Sequence, residues 1–316
     1  MGRSRALAAV LIALAAALAC AGCSFGLGLK PGAVRLRVTQ DFGARQLGSV
    51  SLSKPAGGET DLGLLKRRFP KVTTTSVPLG STSSGIVSVN RLAAHAPKRW
   101  TLFINGVHAA KSASETKVHK GDQVWLDLHD QSAAGTIPAV VGSFPEPFTN
   151  GINGQRYPTT IEWSNGFKPE GQSVTRELRR DGVVAAPGGP GYGSGPDTLS
   201  INIGTWHQLY GEVAAELIKY GPGASGVYAR FIDGGSRIAL ENAAGQVVKT
   251  LGPDSGLIAA TANSDDPAPT WLVVGTDAAG VRAAVRALTA RSLSGHFALA
   301  VHGDTHYPLP LAGSGS

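Results

Sequence analysis

Near the C-terminus, His302-Gly303-Asp304-Thr305-His306 places two imidazoles and a carboxylate at alternate positions. Alternate residues of a strand share a face, so in an extended segment His302, Asp304 and His306 could meet one Zn²⁺. The Gly303-Asp304 pair equally marks a turn, which would splay the three apart. None of the eight histidines sits in His-Glu-x-x-His, and no Gly-x-Ser-x-Gly elbow occurs, so two common hydrolase signatures are missing. Catalytic groups that converge from distant positions stay open. Gly275-Thr276-Asp277-Ala278-Ala279-Gly280 reads as a helix cap and not as an anion site, because Asp277 satisfies the free amides and its charge repels an anion. Pro187 to Pro196 holds five glycines and three prolines in ten positions, and a strand follows it. A phosphate-cradling loop needs a helix N-terminus behind it, so this run reads as a surface loop.

The other residue with chemistry to do is Cys23. Arg3 and Arg5 precede an apolar run from Ala6 to Ala19, and Leu18-Ala19-Cys20-Ala21-Gly22-Cys23 follows. That order of cations, apolar run and small residues is the pattern of an export signal, here residues 1–22. The apolar run is shorter than the roughly 20 residues a membrane span needs. The cleavage region resembles the bacterial lipobox, whose cysteine is acylated on sulfur and becomes the new N-terminus. Cys20 stands where that motif usually has leucine, which makes Cys20 the alternative lipidation site. Two acyl chains on Cys23 anchor a protein stably where one does not, so the expected partner is the membrane, reached through a lipid anchor, and the expected location is extracytoplasmic. Loss of Cys20 with the signal leaves one cysteine, and disulfides and thiolate metal sites drop out together. The formal charge is +7, and its lysines and arginines are scattered without interleaved aromatics. Nucleic acid is therefore a poor partner, whereas anionic lipids or wall polymers suit a mildly basic exterior.

The elements that must position these residues follow from periodicity. Residues 23–32 read as a Gly-rich tether. Val34-Arg35-Leu36-Arg37-Val38 alternates as a strand, Asp61 to Arg68 reads as a helix capped by Thr60 or Asp61, and Trp100 to Ile104 and Gln123 to His129 read as strands. Asn105-Gly106 is the strongest hairpin signal. From Ile137 a proline-punctuated, loop-rich passage leads to further strands at Thr159–Trp163, Leu199–Ile203, Ala229–Ile232, Arg237–Leu240, Leu257–Ala260, Trp271–Val274 and Phe297–Val301. Helices are expected at Ser173–Arg180, Trp206–Tyr220 and after Thr276-Asp277. The predicted fold is α+β, with two modules at residues 33–130 and 137–312, the second an α/β layered domain.

Trp100-Thr101-Leu102-Phe103-Ile104-Asn105-Gly106, followed by Gly121-Asp122-Gln123-Val124-Trp125, resembles the core of the transcobalamin-like C-terminal domain family. Gly58 to Leu65 is similar to that family's helix start, and Gly85 to Asn90 to its glycine-led strand. Val38 to Gly43 and Val140 to Phe148 are similar to bacterial exported proteins that continue past this domain. The resemblance covers about residues 33–130 and implies a β-grasp-like fold, one wall of a corrinoid site as in the animal cobalamin carriers, and no catalysis. Those carriers place a helical barrel before the domain, where this sequence has a signal and a tether.

The residues themselves read more plainly. Trp100 and Trp125 suit cross-strand packing in a small sheet, and Asn105-Gly106 a tight turn whose tip can face a ligand. The candidate ligand-binding set is Trp100, Phe103, Asn105, Gly106, His108 and Trp125. The function expected is non-catalytic binding of a small molecule or envelope component by a surface lipoprotein, with uptake as the process it would serve and no cofactor unless a corrinoid. An envelope structural or interaction protein is the alternative, and a cell-wall-acting enzyme the third.

Overall fold

In a computed structural model the chain is described over residues 32–78, 83–188, 197–263 and 268–313. The signal segment, Cys20, Cys23 and nearly all of the tether lie outside the described residues, as does most of the Gly/Pro run before Pro196. The architecture is α+β. Among the described residues no helix is long and apolar enough to cross a membrane.

The N-terminal part opens with β1 (Val34–Gln40) and β2 (Arg45–Leu52), then α1 (Asp61–Arg68). Three short strands follow, β3 (Val72–Thr74), β4 (Ile86–Val89) and β5 (Leu92–Ala93), which form a small sheet of their own. β6 (Lys98–Ile104), β7 (Val107–His108) and β8 (Gln123–Asp130) complete a five-stranded sheet in the order β2-β1-β8-β6-β7. β1 and β8 run parallel at its centre, and every other pair is antiparallel. The predicted α1 is found with the predicted bounds, and the Thr60 side chain accepts from Gly63 N. Its Leu64, Leu65 and the following Phe69 cover one face of the sheet, against Leu36, Val38, Leu102 and Leu126.

Asn105 and Gly106 take positive φ (53° and 78°) at the β6–β7 turn, as the hairpin signal requires. Trp100 and Trp125 do lie on adjacent strands, but not against each other. The register pairs Trp100 with Leu128 and Phe103 with Trp125, so three positions separate the tryptophans along β6 and they point to opposite faces.

The C-terminal part is a seven-stranded mixed sheet interrupted by a smaller one. Its elements are β9 (Thr159–Trp163), α2 (Lys168–Arg180), β10 (Ala185–Gly188), β11 (Leu199–Thr205), α3 (Trp206–Leu209), α4 (Val213–Lys219) and α5 (Pro222–Ser225). β12 (Ala229–Ile232), β13 (Arg237–Glu241) and β14 (Val247–Leu251) make the smaller antiparallel sheet. β15 (Ser255–Thr261), β16 (Thr270–Gly275), α6 (Ala278–Ala287), α7 (Ala290–Leu293), β17 (Ala298–His302) and β18 (Thr305–Leu309) follow. The strand order is β10-β9-β11-β16-β15-β17-β18, with the first four parallel and the rest antiparallel.

Two expectations change here. The helix expected at Ser173 begins five residues earlier, because Pro169 fits the first turn, where its missing N–H costs nothing. The single helix expected from Trp206 to Tyr220 is two short ones, broken between Leu209 and Val213, and a third short helix follows at Pro222–Ser225.

The passage after Ile137 is no surface linker. Ile137 and Ala139 to Phe144 are buried, with Phe148 and Ile152 after them, and Phe144 and Phe148 pack on Trp271 at ring-centroid distances of 5.7 and 5.3 Å. A Cβ on Gly142 would come within 2.7 Å of both Trp125 and the His296 carbonyl, so only glycine lets this strand of chain pass between the two sheets.

Candidate functional site

Six side chains were singled out for ligand binding, and the structure distributes them over two faces of the first sheet. Phe103 and Asn105 are fully buried, and Asn105 is wholly engaged: its amide donates to Asp122 Oδ1 and to the Gly151 carbonyl, both at 2.9 Å, while its oxygen accepts from Gln123 N. Gly106 packs so close to Val140 that a Cβ would meet its carbonyl at 2.8 Å. These three hold the turn against the following segment and present nothing to solvent.

Trp100 and His108 are brought together. They line a cleft of about 400 Å³ between β6–β7 and the small β3–β4–β5 sheet, with Ser84, Arg99, Thr101 and Gln131 among its other walls. Trp100 is 4% exposed, and its indole N–H has no hydrogen-bond partner among the described residues. A buried donor left unmet costs ~1–3 kcal/mol, so a ligand acceptor that reached it would recover that energy. Burial, with the neighbouring His129 imidazole second, lowers the pKa of His108 to about 4, so at neutral pH it offers an uncharged ring able to donate or accept. Ser84 donates to the Trp100 carbonyl and Gln131 to Thr101, which fixes two of the polar walls. The arrangement suits hydrogen bonding to a small polar molecule.

Trp125 belongs to a different assembly, which the sequence did not disclose. Its indole N–H donates to Thr39 Oγ1 at 2.7 Å, and Thr39 donates in turn to Asp127 Oδ2. The Asp127 carboxylate also accepts from Phe42 N (3.1 Å), Gly43 N (3.0 Å) and His129 Nδ1 (3.0 Å). Asp127 and His129 are fully buried, and the His129 ring lies among Phe42, Phe103 and Phe297. An Asp–His pair is half of a hydrolytic triad. Here the imidazole is fully buried, aromatic rings enclose it, and among the described residues its Nε2 meets no hydroxyl. Its work is to hold the β1–β2 turn, where Asp41, Phe42 and Gly43 all have positive φ, against β8. Phe42 then projects onto Tyr228 and Phe297, each 5.2 Å away edge-on, and joins the two sheets through one core. The signal that could have found it was the alternation Trp125, Asp127, His129, read as one face.

The metal candidate comes apart in the structure. Gly303 and Asp304 form the β17–β18 turn, His302 pairs with Thr305, and His306 pairs with Val301. Paired residues share a face, so His302 and His306 fall on opposite ones. His302 Nδ1 instead bonds Ser255 Oγ at 3.0 Å. Among the described residues no group of three or more His, Cys, Asp or Glu is placed to hold a metal. Asp277 caps α6 as its sequence suggested, accepting from Gly280 N and Asp254 N; those bonds draw its pKa down against the burial that raises it.

The carboxyl ends of β9 and β11 are where an open parallel sheet would carry a ligand. The slot there, lined by Glu162, Ser164, Asn202 and Glu212, leaves no room for a water molecule. No protein-family model matches the chain, and a comparison with curated proteins finds no match.

Proposed function

We propose that this chain is a membrane-anchored, extracytoplasmic lipoprotein that binds a small polar molecule without transforming it. In this reading residues 1–22 direct export and Cys23 carries the lipid. Residues 33–130 form a β-grasp-like domain related to the transcobalamin-like C-terminal family, and residues 137–312 a second α/β layered domain. The parallel central pair β1–β8, with α1 following the first hairpin, supports the β-grasp assignment. The observation that carries the binding role is the cleft at Trp100 and His108, where a buried indole donor lacks an acceptor. At about 400 Å³ the cleft sits near the lower end of ligand sites and favours a ligand much smaller than a corrinoid.

Titration of the full chain with a panel of sugars, amino acids and cyanocobalamin, followed by tryptophan fluorescence, should give a saturable change for one member. Thr136→Trp, which places an indole in the cleft wall, should abolish that change. A flat response across the panel would count against the binding role. Mass spectrometry of the native product should find an acylated Cys23 as the first residue; an unmodified chain starting at Met1 would remove the anchor.

A second reading, an envelope interaction protein, draws on exposed Tyr210, Val213 and Tyr220 around α4, each more than half exposed. A chain that pulls down no envelope partner through Tyr210→Ser and parent alike would leave only the first reading.

A further inference from the structure

On the opposite side of β1 from α1, Arg35 and Arg37 sit at alternate positions and therefore share a face, their backbones about 6.6–6.8 Å apart. Both line a second pocket of about 220 Å³, closed by Gln46, Ser49 and Ser51 of β2, Gln123 and Trp125 of β8, and Ser143. Neither guanidinium forms an ion pair among the described residues. Arg35 Nε is buried without a hydrogen-bond partner. Arg37 stacks over Trp125, 5.5 Å from the ring, and donates to Ser294 Oγ at 3.0 Å. Two half-buried cations thus face one pocket with hydroxyl groups around them, and among the described residues neither is ion-paired to a carboxylate.

Partial desolvation lowers the pKa of both arginines; Arg35 further lowers Arg37, while the charge of Glu146 partly offsets the effect on Arg35. Like charges held together partly out of water raise each other's energy, and an anion bound between them would relieve that cost.

We propose that this pocket is an oxyanion site that takes a phosphoryl group, either inorganic phosphate or the phosphate of a small phosphorylated solute. The planar forks of two arginines present paired N–H donors to tetrahedral oxygens, and the serine hydroxyls can satisfy the remainder. The indole of Trp125 beneath Arg37 holds that fork in place. The pocket shares no lining residue with the Trp100–His108 cleft, so the inference stands apart from the function proposed above.

Isothermal titration of the full chain with inorganic phosphate, at ionic strength matched with chloride, should give saturable heat. Arg35→Gln and Arg37→Gln should each weaken binding by roughly ten- to a hundredfold, the worth of one charge-assisted hydrogen-bond set. Arg37→Lys, which keeps the charge and loses the fork, should fall between parent and Arg37→Gln. Arg35 Nε has no hydrogen-bond partner among the described residues, so Arg35→Gln should melt at the parent temperature and keeps the test open if Arg37→Gln misfolds. Glycerol 3-phosphate distinguishes the source: tighter binding than phosphate assigns a phosphorylated solute, and equal binding assigns the free ion. No saturable heat with either probe, or undiminished binding in the Arg35→Gln/Arg37→Gln double variant, overturns the proposal.

Discussion

The five-stranded sheet has two faces built by the same strands and filled by opposite means. Toward α1, β1 and β8 present Val34, Leu36, Val38, Val124, Leu126 and Leu128, a core with no polar atom in these side chains. Toward the second sheet they present Arg35, Arg37 and Thr39 beside Gln123, Trp125, Asp127 and His129, paired across the parallel register. Alternation of this kind ordinarily separates core from solvent. Here the polar row is itself buried at its Thr39–Asp127–His129 end and opens into a pocket at its arginine end. The apolar face gains from contact area and tolerates exchange of one hydrocarbon for another of like volume. The polar face depends on each donor meeting its acceptor, so a single deletion leaves several groups unmet.

Asp127 is the sharpest place to break that comparison. Asp127→Ala removes the acceptor of Thr39, Phe42 N, Gly43 N and His129 at once, all but Gly43 buried. The expected loss is ~3–5 kcal/mol in denaturant unfolding. Leu126→Met, one residue away on the apolar face, should cost less than ~1.5 kcal/mol. Equal losses for the two would show that the faces do not differ in kind. His108, register partner of Phe103, tests the polar side by pH. Its folded pKa of about 4 lies below the ordinary 6.5, so the unfolded chain binds the extra proton between those values. Stability from this group is fully present above 6.5 and is lost as pH falls toward 4, by at most about 3 kcal/mol. In His108→Phe the drop over that window should shrink; a profile identical to the parent would mean that His108 is not held neutral.

How much of this was legible depended on whether a residue's partner was near in sequence. β1, α1, β6 and β8 are found where alternation, capping and the Asn105-Gly106 turn place them, because each signal is local. β2 was missed because Arg45-Gln46-Leu47-Gly48-Ser49 lacks an apolar stripe; it is an edge strand with largely exposed side chains. The passage after Ile137 read as loop-rich by its prolines, and nothing local showed that Phe144 and Phe148 find their partner in Trp271, more than a hundred residues on. For the same reason Trp100 and His108 could be named as candidates while the cleft between them could not: its other wall comes from β4 and the segment before it. The alternation of Asp127 and His129 put them on one face but did not mark them as a cluster, because their meaning depends on Thr39 and on the turn after β1.

Asp61 shows that the apolar face is not free of ionisable groups at its rim. It is 2% exposed, neither oxygen has a partner, and burial first, then the nearby Asp122, raises its pKa well above the usual carboxyl value of 3.8. A raised carboxyl destabilises the fold progressively as pH rises from its ordinary value through its folded one. Asp61→Asn keeps the shape and removes that charge, so it should stabilise the protein at neutral pH by ~1–3 kcal/mol and leave it unchanged near the ordinary carboxyl pKa. A destabilised variant at neutral pH would mean that the carboxylate is met by a group not seen here.

Tyr228 gives the smallest effect and the finest discrimination on the polar side. Its ring meets Phe42 edge-on, 5.2 Å away, within the core that joins the sheets, while its buried hydroxyl has no partner. Burial raises its pKa, and Asp130 and Glu241 add to the rise, so the phenol stays protonated at all ordinary pH. If the contact between the sheets is made by the ring alone, Tyr228→Phe keeps it and removes a desolvated hydroxyl, and the melting temperature should stay equal or rise by the equivalent of at most ~1 kcal/mol. A loss of ~1 kcal/mol or more would instead place a hydrogen bond at that oxygen, and the join between the sheets would then be polar at both ends of Phe42.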